Sequence, residues 1–374
     1  MSAQITDDQP KNAASVVSTK TSETVSVVIP CYNEELFIGK ALEQLTDQFD
    51  PNHYEIIIVD GMSSDGTRSE IQQFKQRHAG LTVRIVDNPA RNIPTALNLG
   101  VDAAKGNIIA RMDAHAVPPA GYIRRCVEVL SQTGVGVVGM PCNIRPGSHT
   151  LTAQAIASAV SHAFGIGDAK YRLSESQLAQ ESVDTVAFSC FRKSLWQELD
   201  GFNETLLTNE DYDFNYRVRR LGWQVILDRT GHCDYFARPT LDQLSQQYRR
   251  YGHWKAQMVK LHPRSIKWRH LVAPAFVASI VFLVLAGVFF RAAWLALGLG
   301  LLLYFLLAVY FGFKVASRNG EGLRMTLLMP VVFLTIHVSW GTSFILGLLK
   351  ALPRPAESQL AAPGSQINEK SMNG

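Results

Sequence analysis

The chain has 374 residues, 47% of them hydrophobic, with 36 Lys and Arg against 32 Asp and Glu and a formal net charge of +4. That apolar content excludes a mainly disordered chain, and a weak positive charge without any basic block excludes a nucleic-acid binder. Only ten of the charged residues lie beyond residue 270, an asymmetry that argues against a wholly soluble enzyme.

Residues 1–24 are rich in Ser, Thr, Gln and Asp and lack the apolar core and cleavage site of a signal peptide. They are expected to be a flexible polar tail that leaves the next region in the cytosol. From Val25 short β-branched runs alternate with helical stretches. VSVVIP (25–30) precedes an amphipathic stretch from Glu34 to Gln48, and YEIIIVD (54–60) precedes a helix over about 67–77. LTVRIVD (81–87), a helix over about 94–104 and GNIIARMD (106–113) complete the series. Strands that read as unbroken apolar runs are buried on both faces, and their alternation with helices predicts parallel βαβ units, hence an α/β fold. Ligands in such sheets bind beyond the carboxyl ends of the strands, where Asn33, Glu34, Asp60, Asp87, Asp113 and His115 fall. TVAFSCFRK (185–193) reads as a later strand leading into a helix around 195–199. Phe214, Val218 and Leu221 then mark a helix whose start coincides with Asn209, Glu210 and Asp211. Carboxylates are favoured at a helix N-terminus, but capping accounts for one of them and not for both.

Residues 271–290, 292–313 and 327–349 carry no Asp, Glu, Lys or Arg, and each is long enough to span the hydrocarbon core. The expected organisation is therefore a catalytic domain over 25–262, a membrane domain over 263–350 and a second polar tail over 351–374. Arg264, Lys267 and Arg269 before the first segment, and Lys314, Arg318 and Arg324 between the second and third, place both sets in the cytosol by the positive-inside rule. Lys350 and Arg354 run against it. His337, at membrane depth, is read as a bundle-packing group or a contact for a lipid diphosphate. The five cysteines (31, 126, 142, 190 and 233) have no metal or redox spacing and read as small buried hydrophobes.

From Val25 to Lys255 the chain resembles a family 2 glycosyltransferase with a GT-A fold. The likeness rests on VVIPCYNEE, IIIVDGMSSDGT, ALNLGVDAAKGNIIARMDAH, GFNETLLTNEDYDFNYRVRRLGW and QYRRYG, in the family's order. The MDAHA form, SHAFGIGDAKYR, SVDTVAFSCFRKSLW and the three apolar segments are similar to bacterial exopolysaccharide glycosyltransferases of the succinoglycan type. The resemblance implies that Pro30, Glu34 and Asp60 hold the nucleoside of a nucleotide-diphosphate sugar, with Arg91 at a phosphate or the base. Asp65 supports that loop or serves as an ordinary turn residue. Asp113 takes the place of the family's metal-binding Asp, with His115 where a second Asp is common. The implied cofactor is a divalent ion, Mn²⁺ or Mg²⁺, with His115 as a ligand or in an outer shell. Asp211 takes the place of the catalytic base and Glu210 that of its neighbour. Gln247, Arg250 and Tyr251 resemble the QxxRW element at the diphosphate and acceptor, with Tyr for Trp, which leans against a processive polymer channel.

The implied function is an inverting, membrane-anchored transferase at the cytoplasmic face of the inner membrane. It moves a hexose from a nucleotide-diphosphate donor, UDP-glucose being expected, to a polyprenyl-diphosphate-linked saccharide, alongside other polysaccharide-assembly proteins. The alternatives are a polyprenyl-phosphate hexosyl synthase and a non-catalytic scaffold of an export complex; three helices without an inverted repeat argue against a transporter.

Overall fold

A computed structural model of the protein describes residues 23–173, 178–318 and 322–351. The expected tails lie outside the described residues except for their inner ends. The first half of the chain gives β1 (Val25–Cys31), α1 (Ile38–Glu43), β2 (Tyr54–Asp60), α2 (Thr67–Arg77), β3 (Thr82–Asp87), α3 (Ile93–Ala103) and β4 (Ile108–Arg111). Next come α4 (Tyr122–Leu130), β5 (Val135–Gly139), β6 (Cys142–Arg145), α5 (Leu151–Ala159), α6 (Ala163–Ile166), β7 (Gln180–Ser182), β8 (Cys190–Arg192) and α7 (Lys193–Glu198). The remainder is α8 (Glu210–Arg220), β9 (Gln224–Asp228), β10 (Cys233–Phe236), α9 (Leu241–Leu261), α10 (Arg269–Ala286), α11 (Arg291–Arg318) and α12 (Leu323–Leu349).

Among the described residues one sheet runs in the order β3-β2-β1-β4-β8-β5-β9-β7. Its first four strands are mutually parallel, whereas β8 is antiparallel to both neighbours and β7 to β9. Both faces are covered, as the apolar runs require. Val27, Ile29, Ile56 and Ile58 enter one core, and Val28, Ile57 and Val59 enter the other. All five cysteines are buried free thiols.

Two elements are shorter than expected, for local reasons. The helix expected from Glu34 to Gln48 is only α1, because after Glu43 the amide of Leu45 turns to the carbonyl of Leu42 at 2.9 Å and the Thr46 hydroxyl takes that of Glu43 at 3.0 Å. The strand expected over 185–193 contracts to β8 because Phe188 adopts a left-handed backbone, φ 49°, which interrupts extension.

Helices α10, α11 and α12 are long and apolar enough to cross a membrane. Phe282, Leu285, Phe289, Leu295 and Leu303 present their side chains outward, a lipid-suited surface. The first apolar segment ends as helix at Ala286, and the turn into α11 is closed by the Trp294 indole donating to the Gly287 carbonyl at 2.9 Å. The third helix fastens the bundle to the α/β part: 39% of its apolar window is buried, against 11% for α10. It lies along α9, where the Ser245 and Ser339 hydroxyls meet at 2.9 Å. A second tie is ionic. Buried Asp184, beside the sheet, accepts from Arg269 at the start of α10 and from Lys267 at 3.2 Å. Burial pushes its carboxyl up, but the two cations outweigh this and hold it at about 2.

Gly252 makes the close approach of α9 and α12 possible, since a Cβ there would meet the Trp340 carbonyl oxygen at 2.3 Å. Backbone cannot yield as a side-chain end can. Gly252→Ala is therefore expected to destabilise the protein by about 1–3 kcal/mol, read as a lowered unfolding temperature in detergent. An unchanged melting profile would show that the contact is looser than described.

Candidate active site

Strand β4 ends in Arg111, a cation at the end of a buried apolar run, 7% exposed. Two residues on stands Asp113, 3.5 Å from the guanidinium. Across the cleft α8 begins directly after Asn209, whose left-handed backbone (φ 69°) turns the chain sharply into the helix. Glu210 thereby reaches 3.1 Å from Arg111 and Asp211 reaches 3.8 Å. One guanidinium thus gathers three carboxylates from two distant segments. Burial pushes Arg111 down, but Asp113, Glu210 and Asp211 together hold it well above its ordinary value. Burial pushes the Glu210 carboxyl up to about 7, Arg111 opposing and Asp211 adding to the rise. Asp211 is the more open of the pair, its side chain 33% exposed against 5% for Glu210.

A cavity of about 760 Å³ opens from this cluster. Of the residues expected in the site it gathers Glu34, Asp113, His115, Glu210, Asp211, Gln247, Arg250 and Tyr251 on its walls; Pro30, Asp60 and Arg91 are not among its lining residues. Those three lie at the ends of β1, β2 and β3. Asp60 is fully buried and already engaged, by the Ser63 hydroxyl at 2.5 Å and by Arg68 at 2.6 Å, which also pairs with Asp87 at 2.5 Å. In this geometry it orders the loop after β2. Asp65 accepts from the Thr67 amide at 3.1 Å and hydroxyl at 2.6 Å, the turn role. Arg91 is itself left-handed (φ 53°) and stands 5.8 Å over the exposed ring of Tyr32. Glu34 and His115 meet, Oε1 to Nδ1, at 3.1 Å. That hydrogen bond raises the imidazole pKa against the opposing effect of burial.

Helix α9 contributes Gln247, which donates to the hydroxyls of Tyr235 at 3.1 Å and Tyr251 at 3.0 Å. Arg172, which also lines the cavity, has no role in the sequence reading. Arg111 was equally unread, although a charge ending an apolar strand was a usable signal. Arg172 offered none, because its surroundings come from separate elements. At the far end His337 uses both ring nitrogens, with the Tyr304 hydroxyl at 2.9 Å and the Phe164 carbonyl at 2.8 Å. This is the packing alternative of the two foreseen.

The donor set admits a divalent ion of one kind. Among the described residues no group of three His, Cys, Asp or Glu is arranged as an all-protein cage. The cluster nevertheless holds three carboxylates against one guanidinium and faces a cavity. Mg²⁺ and its relatives are commonly held by one or two carboxylates and completed by substrate phosphates and water. Asp113, 3.5 Å from the guanidinium and 27% exposed, is open enough to serve. His115 would have only Nε2 to offer.

A mixed sheet with parallel βαβ units and carboxylates beyond the strand ends has the layout of a nucleotide-binding α/β domain. Residues 26–199 match the family model described as Glycosyl transferase family 2. Succinoglycan biosynthesis protein ExoA of Rhizobium meliloti (strain 1021) is 26% identical over 334 residues, spanning 87% of this chain and 94% of its own. Dolichyl N-acetyl-alpha-D-glucosaminyl phosphate 3-beta-D-2,3-diacetamido-2,3-dideoxy-beta-D-glucuronosyltransferase of Methanococcus voltae is 23% identical over 331 residues, 87% of this chain and 97% of its own. The solved mannosyltransferase PcManGT of Pyrobaculum calidifontis, in complex with GDP-Man and Mn²⁺, superposes with a TM-score of 0.57 at 20% identity, covering 85% and 87% of the two chains, which shows the shared fold. Residues 26–199 are thus similar to a family 2 glycosyltransferase domain, and the protein is a glycosyltransferase.

Removing Arg111 leaves buried carboxylates without their cation. Arg111→Met is expected to cost about 3–5 kcal/mol of stability and to abolish turnover, with Arg111→Lys intermediate, measured by thermal unfolding and donor consumption. Equal stability in all three proteins would remove the organising role assigned to this residue.

Proposed function

We propose that the protein is an inverting transferase that moves a hexose, glucose in our reading, from a nucleotide diphosphate to a polyprenyl-diphosphate-linked saccharide during exopolysaccharide assembly. One observation carries the proposal: the carboxylate cluster and residues of the membrane-suited helices, Phe276, Tyr304 and Trp340 among them, line the same cavity. A water-soluble donor and a bilayer-bound acceptor can therefore meet there. The Methanococcus voltae relative, a transferase described as acting on a dolichyl-linked sugar phosphate, supports a lipid-linked acceptor, and the succinoglycan biosynthesis protein supports a role in exopolysaccharide assembly.

In the proposed step the acceptor hydroxyl oxygen bonds to the anomeric carbon as the carbon–oxygen bond to the nucleoside diphosphate breaks, and the hydroxyl proton passes to Asp211. Asp211 suits this role because its side chain is partly open while one oxygen is steadied by the Tyr212 amide at 2.7 Å. Glu210, raised by burial, supports it and orients the acceptor. Pro30, Glu34, Asp60 and Arg91 shape the nucleoside side, and Gln247, Arg250 and Tyr251 the diphosphate and acceptor side. A divalent ion, Mn²⁺ or Mg²⁺, bound at Asp113 with His115 near it, would neutralise charge developing on the leaving diphosphate. Lys314 and Arg318 near the end of α11 and Arg324 near the start of α12 support, by the positive-inside rule, an α/β part on the cytoplasmic side of the inner membrane.

Membranes carrying the protein, incubated with radiolabelled nucleotide sugars and extracted for lipid, test the reading. Label is expected in saccharide diphospholipid, with loss of at least about 1000-fold in Asp211→Asn and unimpaired donor binding. Label confined to a monophospholipid would replace the proposal by a polyprenyl-phosphate hexosyl synthase, and near-normal turnover of Asp211→Asn would remove it as the base.

A further inference from the structure

Besides the carboxylates around Arg111, the cavity is lined by four basic residues, Arg172, Arg238, Arg250 and Lys255. Arg172 is the unusual member. It ends the short 3-10 turn Lys170–Arg172, and its guanidinium lies 5.4 Å from the ring centre of Tyr171, 5.8 Å from Tyr235 and 6.0 Å from Tyr251. Tyr248 also faces it. Its buried Nε has no hydrogen-bond partner, and among the described residues no carboxylate forms an ion pair with it. Among the described residues Arg111, Arg229 and Arg269, whose side chains are also largely shielded, each hold one or more carboxylates; Arg219 shares with Arg172 a buried Nε without a partner.

A guanidinium removed from water without a counter-charge is costly, and tyrosine faces offset only part of that cost. The arrangement makes sense if an anion completes it. Arg is suited to a two-pronged contact with phosphate, and the ring hydroxyls nearby can donate to the remaining oxygens. Beyond the cage the cavity turns apolar, lined by Trp268, Val272, Phe276, Ile336 and Trp340 from the bundle and its approach. Phe276 stacks on Tyr304 with ring centres 4.6 Å apart, giving that end an aromatic floor. A cationic seat next to an apolar run fits a phosphate ester that carries a hydrocarbon chain. It does not fit a nucleoside, which needs polar edges along its whole length.

We propose that Arg172 in its tyrosine cage receives the phosphate of the lipid-linked acceptor, with the first isoprene units lying against Phe276, Ile336 and Trp340. The inference deepens the proposed function and rests on its lipid-linked acceptor. It assigns the two phosphates to different groups: the donor diphosphate to Asp113 and its ion, the acceptor phosphate to Arg172. The acceptor sugar would then lie between them, within reach of Asp211.

Farnesyl diphosphate serves as a short probe, titrated without any nucleotide sugar into the full chain in phosphatidylcholine nanodiscs while tryptophan fluorescence is followed, since Trp268 and Trp340 line the cavity. Arg172→Gln is expected to weaken farnesyl diphosphate by about tenfold or more while changing farnesol and UDP by less than about twofold. Unchanged farnesyl diphosphate affinity, or no binding to the unaltered protein, overturns the proposal. A parallel loss of UDP in a folded variant also overturns it and moves Arg172 to the donor. Should Gln weaken the fold, Arg172→Lys keeps the charge and loses the fork; about a threefold loss is expected, and none overturns the proposal. Because this readout needs no turnover, it fails separately from the transfer assay: selective farnesyl diphosphate binding with label only in a soluble product would discard the lipid-linked acceptor and keep a phosphate-ester seat.

Discussion

Three carboxylates drawn from β4 and α8 cannot share one buried corner unless a cation stands among them. Arg111 supplies it, and much of the molecule's arrangement follows. The guanidinium fixes where α8 may start, because Glu210 is within 3.1 Å of it. It also fixes the end of β4, which passes between β1 and β8 in the middle of the sheet. The middle of the sheet and α8 are thereby joined at the candidate site. Since the cluster carries more negative than positive charge, it is incomplete by itself, and the open side faces the cavity where a cation or an acidic proton would be welcome.

Another part of the cavity lining depends on a different support. Gln247, Tyr248 and Tyr251 belong to α9, and α9 is held in place by α12, with Gly252 against the Trp340 backbone and Ser245 against Ser339. The helix that shapes the cationic wall is therefore the same helix that docks the bundle. A long helix of this kind could have served merely as a basic strip on anionic lipid. The burial of Gln247 and Tyr248, and the hydroxyl network around Gln247, give it an inward face as well.

How much of this was legible beforehand follows from the range of the interactions involved. Strands β1 to β4 and helices α2 and α3 show in the sequence because unbroken β-branched runs and 3.6-residue spacing are local, and burial on both faces of the sheet reinforces them. The start of α8 was visible for the same reason, from acidic residues ahead of an amphipathic run. The state of Asp60 was not visible. Its oxygens are consumed by Ser63 and by Arg68, and whether a side chain eight residues away turns inward is a matter of packing. Arg172 was less visible still, since Tyr171, Tyr235, Tyr248 and Tyr251 converge from a turn, a short strand and a helix. The same limit applies to α1 and β8, where a threonine hydroxyl and one left-handed phenylalanine ended elements that periodicity would have extended.

The bundle is more than a tether. A flexible linker would raise the local concentration of a membrane-bound acceptor but leave its depth and orientation free. Here the helices are fixed to the α/β part at three separate places. Gly252 of α9 meets α12, His337 of α12 bonds the Phe164 carbonyl, and Asp184 beside the sheet pairs with Arg269 of α10. Attachments made through two different helices, α10 and α12, resist hinge motion about any single one of them. The distance from the carboxylate cluster to the apolar end of the cavity is then a property of the fold. Under the proposed function, with a sugar held a fixed number of bonds from a lipid, a set distance would place one hydroxyl, and not its neighbours, at Asp211. Regiochemistry in such an enzyme would therefore be governed as much by how the bundle is docked as by the residues around the sugar.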